Sequence, residues 1–130
     1  MSETNVAVVR GMLEAFIRND LETALACLDP DIEWDGTNLP DGKITRGLDA
    51  VLDHAARWAD IWEGWEVDLE DVIDAGGDKV IAFIRERGRS KAGLEMDEQH
   101  SELYIVKAGR IVYRKGFSDP HEAQVEADVP

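Results

Sequence analysis

The chain has 130 residues, with 14 Lys plus Arg against 28 Asp plus Glu, and a formal net charge of −14 at pH 7. That length is enough for one domain with a sizeable core. So acidic a surface repels nucleic acid and anionic lipid, whose binding needs basic patches, and no apolar run approaches the roughly 20 residues of a membrane span.

Val6, Val9, Leu13, Phe16 and Ile17 recur at helical spacing and predict an amphipathic helix over residues 4–18. Asn19-Asp20 breaks it, and Asp20 is placed to cap a second helix carrying Leu21, Ala24, Leu25 and Leu28. Cys27, the single cysteine, lies within that apolar period and closes no intrachain disulfide. With an N-terminus that lacks a basic and then apolar leader, this points to a reducing cytoplasm. Asp29-Pro30 stops the helix, Ile32-Glu33-Trp34 reads as a short strand, and Pro40-Asp41-Gly42 reads as a turn into Lys43-Ile44-Thr45.

After Gly47, the residues Leu48, Val51, Leu52, Ala55, Trp58, Ala59 and Trp62 form one stripe of a third helix. Most of the stripe is core, yet the indoles of Trp58 and Trp62 are large enough to wall a cavity as well as to fill one. From Trp65 onward the period changes to two. Residues 66–74, 79–87, 95–106 and 110–117 predict four strands of an antiparallel meander, the first of them half-solvated or at an edge. Residues 120–126 predict a closing helical turn, with an acidic tail over residues 124–130. The whole reads as one α+β domain, with helices covering one face of a bent sheet.

The alternation puts Arg85, His100, Glu102 and Arg114 on one sheet face, where four titratable or charged groups need partners, water or a ligand. The run Arg85-x-Arg87-x-Arg89-x-Lys91 reads as a solvated strand end. His54, His100 and His121 lack metal-ligand spacing, so no metal is expected, and no P-loop or GxGxxG fingerprint is present.

Register at Gly109 decides which residues share a face. A two-residue loop Ala108-Gly109 sets Glu102 opposite Lys115, whereas a three-residue loop with Gly109 left-handed sets Glu102 opposite Arg114 and His100 opposite Gly116. The second is preferred, because a type I′ turn disfavours Ala108.

Four segments, Gly47-Leu48-Asp49-Ala50-Val51, Ala75-Gly76-Gly77-Asp78-Lys79-Val80, Arg85-Glu86-Arg87-Gly88-Arg89 and Gly109-Arg110-Ile111-Val112 followed by Phe117-Ser118-Asp119-Pro120-His121-Glu122-Ala123, together resemble the SnoaL-like polyketide-cyclase family. That family lies within the nuclear-transport-factor-2-like superfamily. The resemblance implies a cone: a curved antiparallel sheet with three N-terminal helices packed on its concave face, a pocket open at one end, and a homodimer formed through the outer sheet surface. Comparison with the superfamily's limonene-epoxide hydrolases places Phe83, Arg85, Arg87, Glu98, His100, Glu102, Tyr104, Val112 and Arg114 on the inner face. The catalytic Arg and Asp residues of those enzymes fall on Phe83, Arg85 and Gly116 here, and their water-holding Tyr and Asn on Trp34 and Gly36, so that apparatus is absent. The acid/base Asp of the cyclases also falls on Gly116.

Two functions follow. One is a cofactor-free acid/base enzyme of isomerase, cyclase or lyase type acting on a small, partly apolar molecule. In it His100 or Glu102 moves the proton, Arg114 and Arg85 stabilise negative charge, and Trp34, Trp58, Trp62, Phe83 and Tyr104 hold the substrate. The other is a non-catalytic ligand-binding or diverged structural domain, in which Glu102–Arg114 is a cross-strand ion pair and the tryptophans are core.

Overall fold

The structure, a computed structural model, describes residues 2–37 and 42–128. Helix α1 spans Ser2–Ile17 and α2 spans Leu21–Ala26. Asp20 separates them as the sequence leads one to expect: its carboxylate accepts from the Thr23 backbone N–H at 3.3 Å and from Thr23 Oγ1 at 2.7 Å, capping α2. Strand β1 (Leu28–Asp35) begins before Asp29-Pro30, so that dipeptide lies inside a strand and does not punctuate a helix end. The predicted turn at Pro40-Asp41 falls outside the described residues. Strand β2 (Ile44–Arg46), helix α3 (Leu48–Ile61), strands β3 (Trp62–Asp74), β4 (Lys79–Ser90), β5 (Glu95–Lys107) and β6 (Arg110–Phe117), and helix α4 (Glu122–Ala127) complete the chain. Helix α4 takes in residues 124–127 of the stretch expected to be a tail.

The strands form one curved, unclosed sheet in the order β2-β1-β6-β5-β4-β3. The meander from β3 to β6 is antiparallel, with β3 at the edge, as the acidic punctuation of that strand suggests. Beyond it the expectation of a wholly antiparallel sheet fails: β1 runs parallel to β6, with Trp34 beside Arg114. A parallel pair joins elements far apart in sequence, so no local turn announces it.

The concave face is the main core. Val80, Ala82 and Ile84 of β4 join Tyr104, Val106, Val72 and Ile111 against Val9, Met12 and Ala15 of α1. Register breaks opposite Glu70 and Val112 mark β-bulges that bend the strands around these helices. The convex face has a smaller core, in which Ile81, Leu103 and Phe117 pack under Ala123 and Ala127 of α4.

The hairpin at Gly109 follows neither expected register. Ala108 and Gly109 form a two-residue loop with φ of 52° and 78°, and Lys107 faces Arg110. The bulge at Val112 then shifts the pairing, so that Glu102 faces Gly116 and Tyr104 faces Arg114. The loop accepts an alanine in the left-handed region, and the bulge restores the face alternation that the preferred register implied.

Candidate functional site

On the concave face, β5 presents His100, Glu102 and Tyr104 at alternate positions, β6 adds Arg114, β4 adds Glu86 and β1 adds Trp34. Glu102 is the hub. One carboxylate oxygen accepts from the Tyr104 hydroxyl, and the other accepts from Arg114 Nη2. His100 Nε2 lies 3.3 Å from that second oxygen and 3.4 Å from Glu86 Oε1. Glu86 Oε2 in turn accepts from Trp65 Nε1 at 2.8 Å. The Arg114 guanidinium carbon sits 4.6 Å from the centroid of Trp34, a cation–π contact.

Glu86, His100, Glu102 and Arg114 thus form a quartet that is almost entirely withdrawn from solvent; the Glu102 and Arg114 side chains are 7% and 8% exposed. Its charges balance when the imidazole is protonated: two carboxylates face one guanidinium and one imidazolium. Burial works against the Glu102 anion, but the Arg114 charge and the bonds from His100 and Tyr104 override it, holding the carboxyl well below the usual range. Burial pulls the His100 pKa down, yet the bond to Glu102 and the two carboxylate charges raise it above 6.5. Glu86 behaves oppositely to Glu102: burial dominates and its pKa is raised. Burial and the Glu102 charge push the Tyr104 hydroxyl well above 10.0, so it is a donor and not a base. Two side-chain donors in this interior are buried without a partner, Arg114 Nε and Trp62 Nε1.

Trp62 and Trp58 make an edge-to-face pair, with centroids 5.4 Å apart and planes at 62°. Trp62 lies over Gly88: a Cβ there would come within 2.9 Å of Trp62 Cε3, so only glycine leaves the indole its seat. Where β3, β4 and β5 meet near their ends, Gly64, Trp65, Glu66, Arg87, Gly88, Arg89, Glu95, Met96 and Asp97 line a concavity of about 470 Å³, whose charged members Glu66, Arg87, Arg89, Glu95 and Asp97 alternate onto the convex face, away from the quartet. No member of the quartet lines it. A second concavity of about 490 Å³ lies at the opposite end of the strands, around Gly76, Lys79 and Lys107. Among the described residues, no cluster of three or more His, Cys, Asp or Glu is disposed to hold a metal ion, and no helix is long and apolar enough to cross a membrane.

The structure therefore brings His100, Glu102, Tyr104, Arg114 and Trp34 together, whereas Trp58 and Trp62 form a separate pair seated on Gly88. It does not bring in Phe83 and Arg85, nor Arg87. Phe83 pairs with Ser101 and Arg85 with Gln99, on the convex face. Arg85 is held there by Asp97, with Nε to Oδ1 at 2.9 Å and Nη2 to Oδ2 at 3.1 Å, and Arg87 lies between Asp68, Glu66 and Asp97. The expected phase of β4 was one residue out. Residues 80–84 are apolar on both faces because both are covered, so hydropathy leaves the phase open there. Glu86 and Trp65 are the members that sequence reasoning missed. The acid standing between Arg85 and Arg87 was the available signal.

The SnoaL-like domain profile matches residues 9–114. The uncharacterized protein Rv0034 of Mycobacterium tuberculosis is 34% identical over 122 residues, covering 91% of this chain and 92% of its own. A crystal structure of an NTF2-like protein from Burkholderia thailandensis superposes with a TM-score of 0.81 at 26% identity, covering 97% of this chain and 98% of that one. TerC, crystallised with polyporic acid, superposes with a TM-score of 0.78 at 19% identity, covering 94% of this chain and 98% of TerC.

Proposed function

Because the chain belongs to the SnoaL-like domain family, we propose that it binds a small, partly apolar molecule at the open end of its cone and moves a proton on it through His100, without a dissociable cofactor. One observation carries the reading: His100 Nε2 stands between the carboxylates of Glu86 and Glu102, at 3.4 and 3.3 Å. Glu86 resists ionisation and His100 resists deprotonation. A proton shared between two such groups is available for transfer in either direction, which is what acid/base catalysis requires.

Roles follow from the bonding. Glu102, locked as an anion by Tyr104 and Arg114, fixes the imidazole and is not the group that exchanges the proton. Trp34 covers the Arg114 guanidinium on one side of the quartet, and Trp65 fixes Glu86 on the other. The co-crystallisation of TerC, a protein of the same fold, with polyporic acid supports a small-molecule ligand. The same reading includes a cytoplasmic homodimer packed through the outer sheet surface; a monomeric mass by light scattering at micromolar concentration would remove the dimer.

The test begins with a thermal-shift screen against cyclic, aromatic and terpenoid metabolites. A ligand at 100 times its dissociation constant adds about 2.7 kcal/mol of stability. For a binder that is turned over, His100→Gln and Glu86→Gln are expected to lower kcat by about 10²–10⁴ while binding persists. Undiminished turnover in His100→Gln refutes the assignment. A second reading, a ligand-binding or structural domain without chemistry, is favoured by the saturation of both Glu102 oxygens within the protein. Binding without turnover selects it, and no binding across a broad panel selects its structural form.

A further inference from the structure

We propose that Glu98 is the proton port of the site: it stands on the water side of the Glu86–His100 pair and passes protons between that pair and solvent. The inference rests on the acid/base reading of His100 and adds a residue that the reading lacks. Strand β5 pairs with β4 without a bulge from Glu95 to Ile105, so Glu98 alternates onto the concave face with His100, Glu102 and Tyr104. Exposure along that row gives the direction of water. Tyr104 is 0% exposed, Glu102 5% and His100 9%, and Glu98, one step nearer the β4–β5 turn, is exposed. A proton leaving His100 along this row meets Glu98 before bulk water.

The register sets Glu98 directly across from Glu86, with His100 two residues further along its own strand. Directly opposed residues have Cβ atoms about 4.5–5.5 Å apart, so the three side chains are neighbours on one face. The quartet is engaged within itself: Glu102 by Tyr104 and Arg114, His100 by Glu102 and Glu86, and Glu86 by His100 and Trp65. Among the described residues, Glu98 makes no hydrogen bond or ion pair. Stability does not account for it. A carboxylate opposite a carboxylate is unfavourable, whereas a lysine or arginine at this place would pair with Glu86. Arg85 and Arg87, which flank Glu86, alternate onto the convex face and take Asp97 there. Proton traffic does account for it. Unbonded and exposed, the Glu98 carboxylate takes a proton from the His100 imidazolium or the Glu86 carboxyl and gives it to water, and the reverse order recharges the pair. Only bonds to the proton are made or broken.

The test needs no substrate. Exchange of the His100 ring N–H with water is read by nitrogen-edited NMR on the ligand-free chain. Glu98→Gln keeps the size of the side chain and removes the base, and it is expected to slow that exchange about tenfold or more. The amides of residues 80–84 are expected to keep their exchange protection, which shows that the sheet is intact. In Glu98→Ala, added acetate is expected to restore the rate, because a free carboxylate takes the missing place. Unchanged His100 exchange in Glu98→Gln overturns the port. Slowing that acetate leaves in place overturns it too, since a base does not relieve a purely structural effect. The two readings fail separately. An overturned port leaves the chemistry of His100 standing as long as His100→Gln loses turnover. Undiminished turnover in His100→Gln refutes that chemistry, and slowed exchange in Glu98→Gln then keeps Glu98 as a proton path with no reaction to serve.

Discussion

Removing the guanidinium from the quartet tests its burial most directly. In Arg114→Leu, Glu102 keeps its bonds from Tyr104 and His100 but loses the one permanent cation beside it, in a site where its side chain is 7% exposed. Deleting one partner of a buried ion pair costs about 3–5 kcal/mol, because the remaining charge stays desolvated. The lost cation–π contact with Trp34 adds about 0.5–2 kcal/mol. A loss of about 4 kcal/mol is a large share of the 5–15 kcal/mol typical of a domain. Urea unfolding followed by circular dichroism reads it as a midpoint lower by roughly 2 M, for a slope of roughly 2 kcal/mol per molar. The double variant Glu102→Leu/Arg114→Leu is expected to recover about half or more of the loss, since it removes the stranded charge along with its partner. A single-variant loss under about 1 kcal/mol, the range of solvent-exposed pairs, would refute the reasoning and mean that water reaches the quartet.

Three further outcomes are expected. The raised pKa of His100 contributes stability that is complete below its ordinary 6.5 and is lost as pH rises through the folded value; raised Glu86 acts with the same sign, and lowered Glu102 contributes stability that is complete above its ordinary 4.5 and is lost on acidification. Urea midpoints measured across pH should therefore be highest between 4.5 and 6.5, and His100→Gln should flatten the alkaline side; an unchanged profile in that variant contradicts the shift. Arg85→Ala, on the convex face, is expected to leave any ligand's dissociation constant unchanged, and a tenfold weakening would mean that it reaches the site. Ala108→Asn places a residue suited to the left-handed region in the two-residue turn and is expected to stabilise by up to about 1 kcal/mol in urea titration; a loss would mean that the turn tolerates alanine without strain.

What the sequence disclosed depended on whether the information was local. The periods of α1 and α3, the cap at Asp20 and the meander were readable, because each rests on neighbours a few residues apart. The joint placement of His100, Glu102, Tyr104 and Arg114 also emerged, although by a route the structure corrects: a tighter turn and an unforeseen bulge together preserve the alternation. Residues 80–84 gave no phase, since α1 covers one of their faces and α4 the other, and Phe83 and Arg85 were misplaced as a result. Glu86 went unseen for the same reason. Its burial and its contact with His100 come from the β4–β5 register and the Trp65 bond, which no pattern within β4 encodes.

The parallel seam between β1 and β6 also bears on how the chain is made. Trp34 and its neighbours emerge early in synthesis, but the strand that receives them is among the last segments produced. Until then β1 and β2 have no place in the sheet, and their unpaired edge stays open to chaperones or to association with other nascent chains. Pairings of such long sequence separation form slowly even in the finished polypeptide. A chain truncated before residue 110 would lose more than its last strand: β1 and β2 would be cut off from the rest of the sheet.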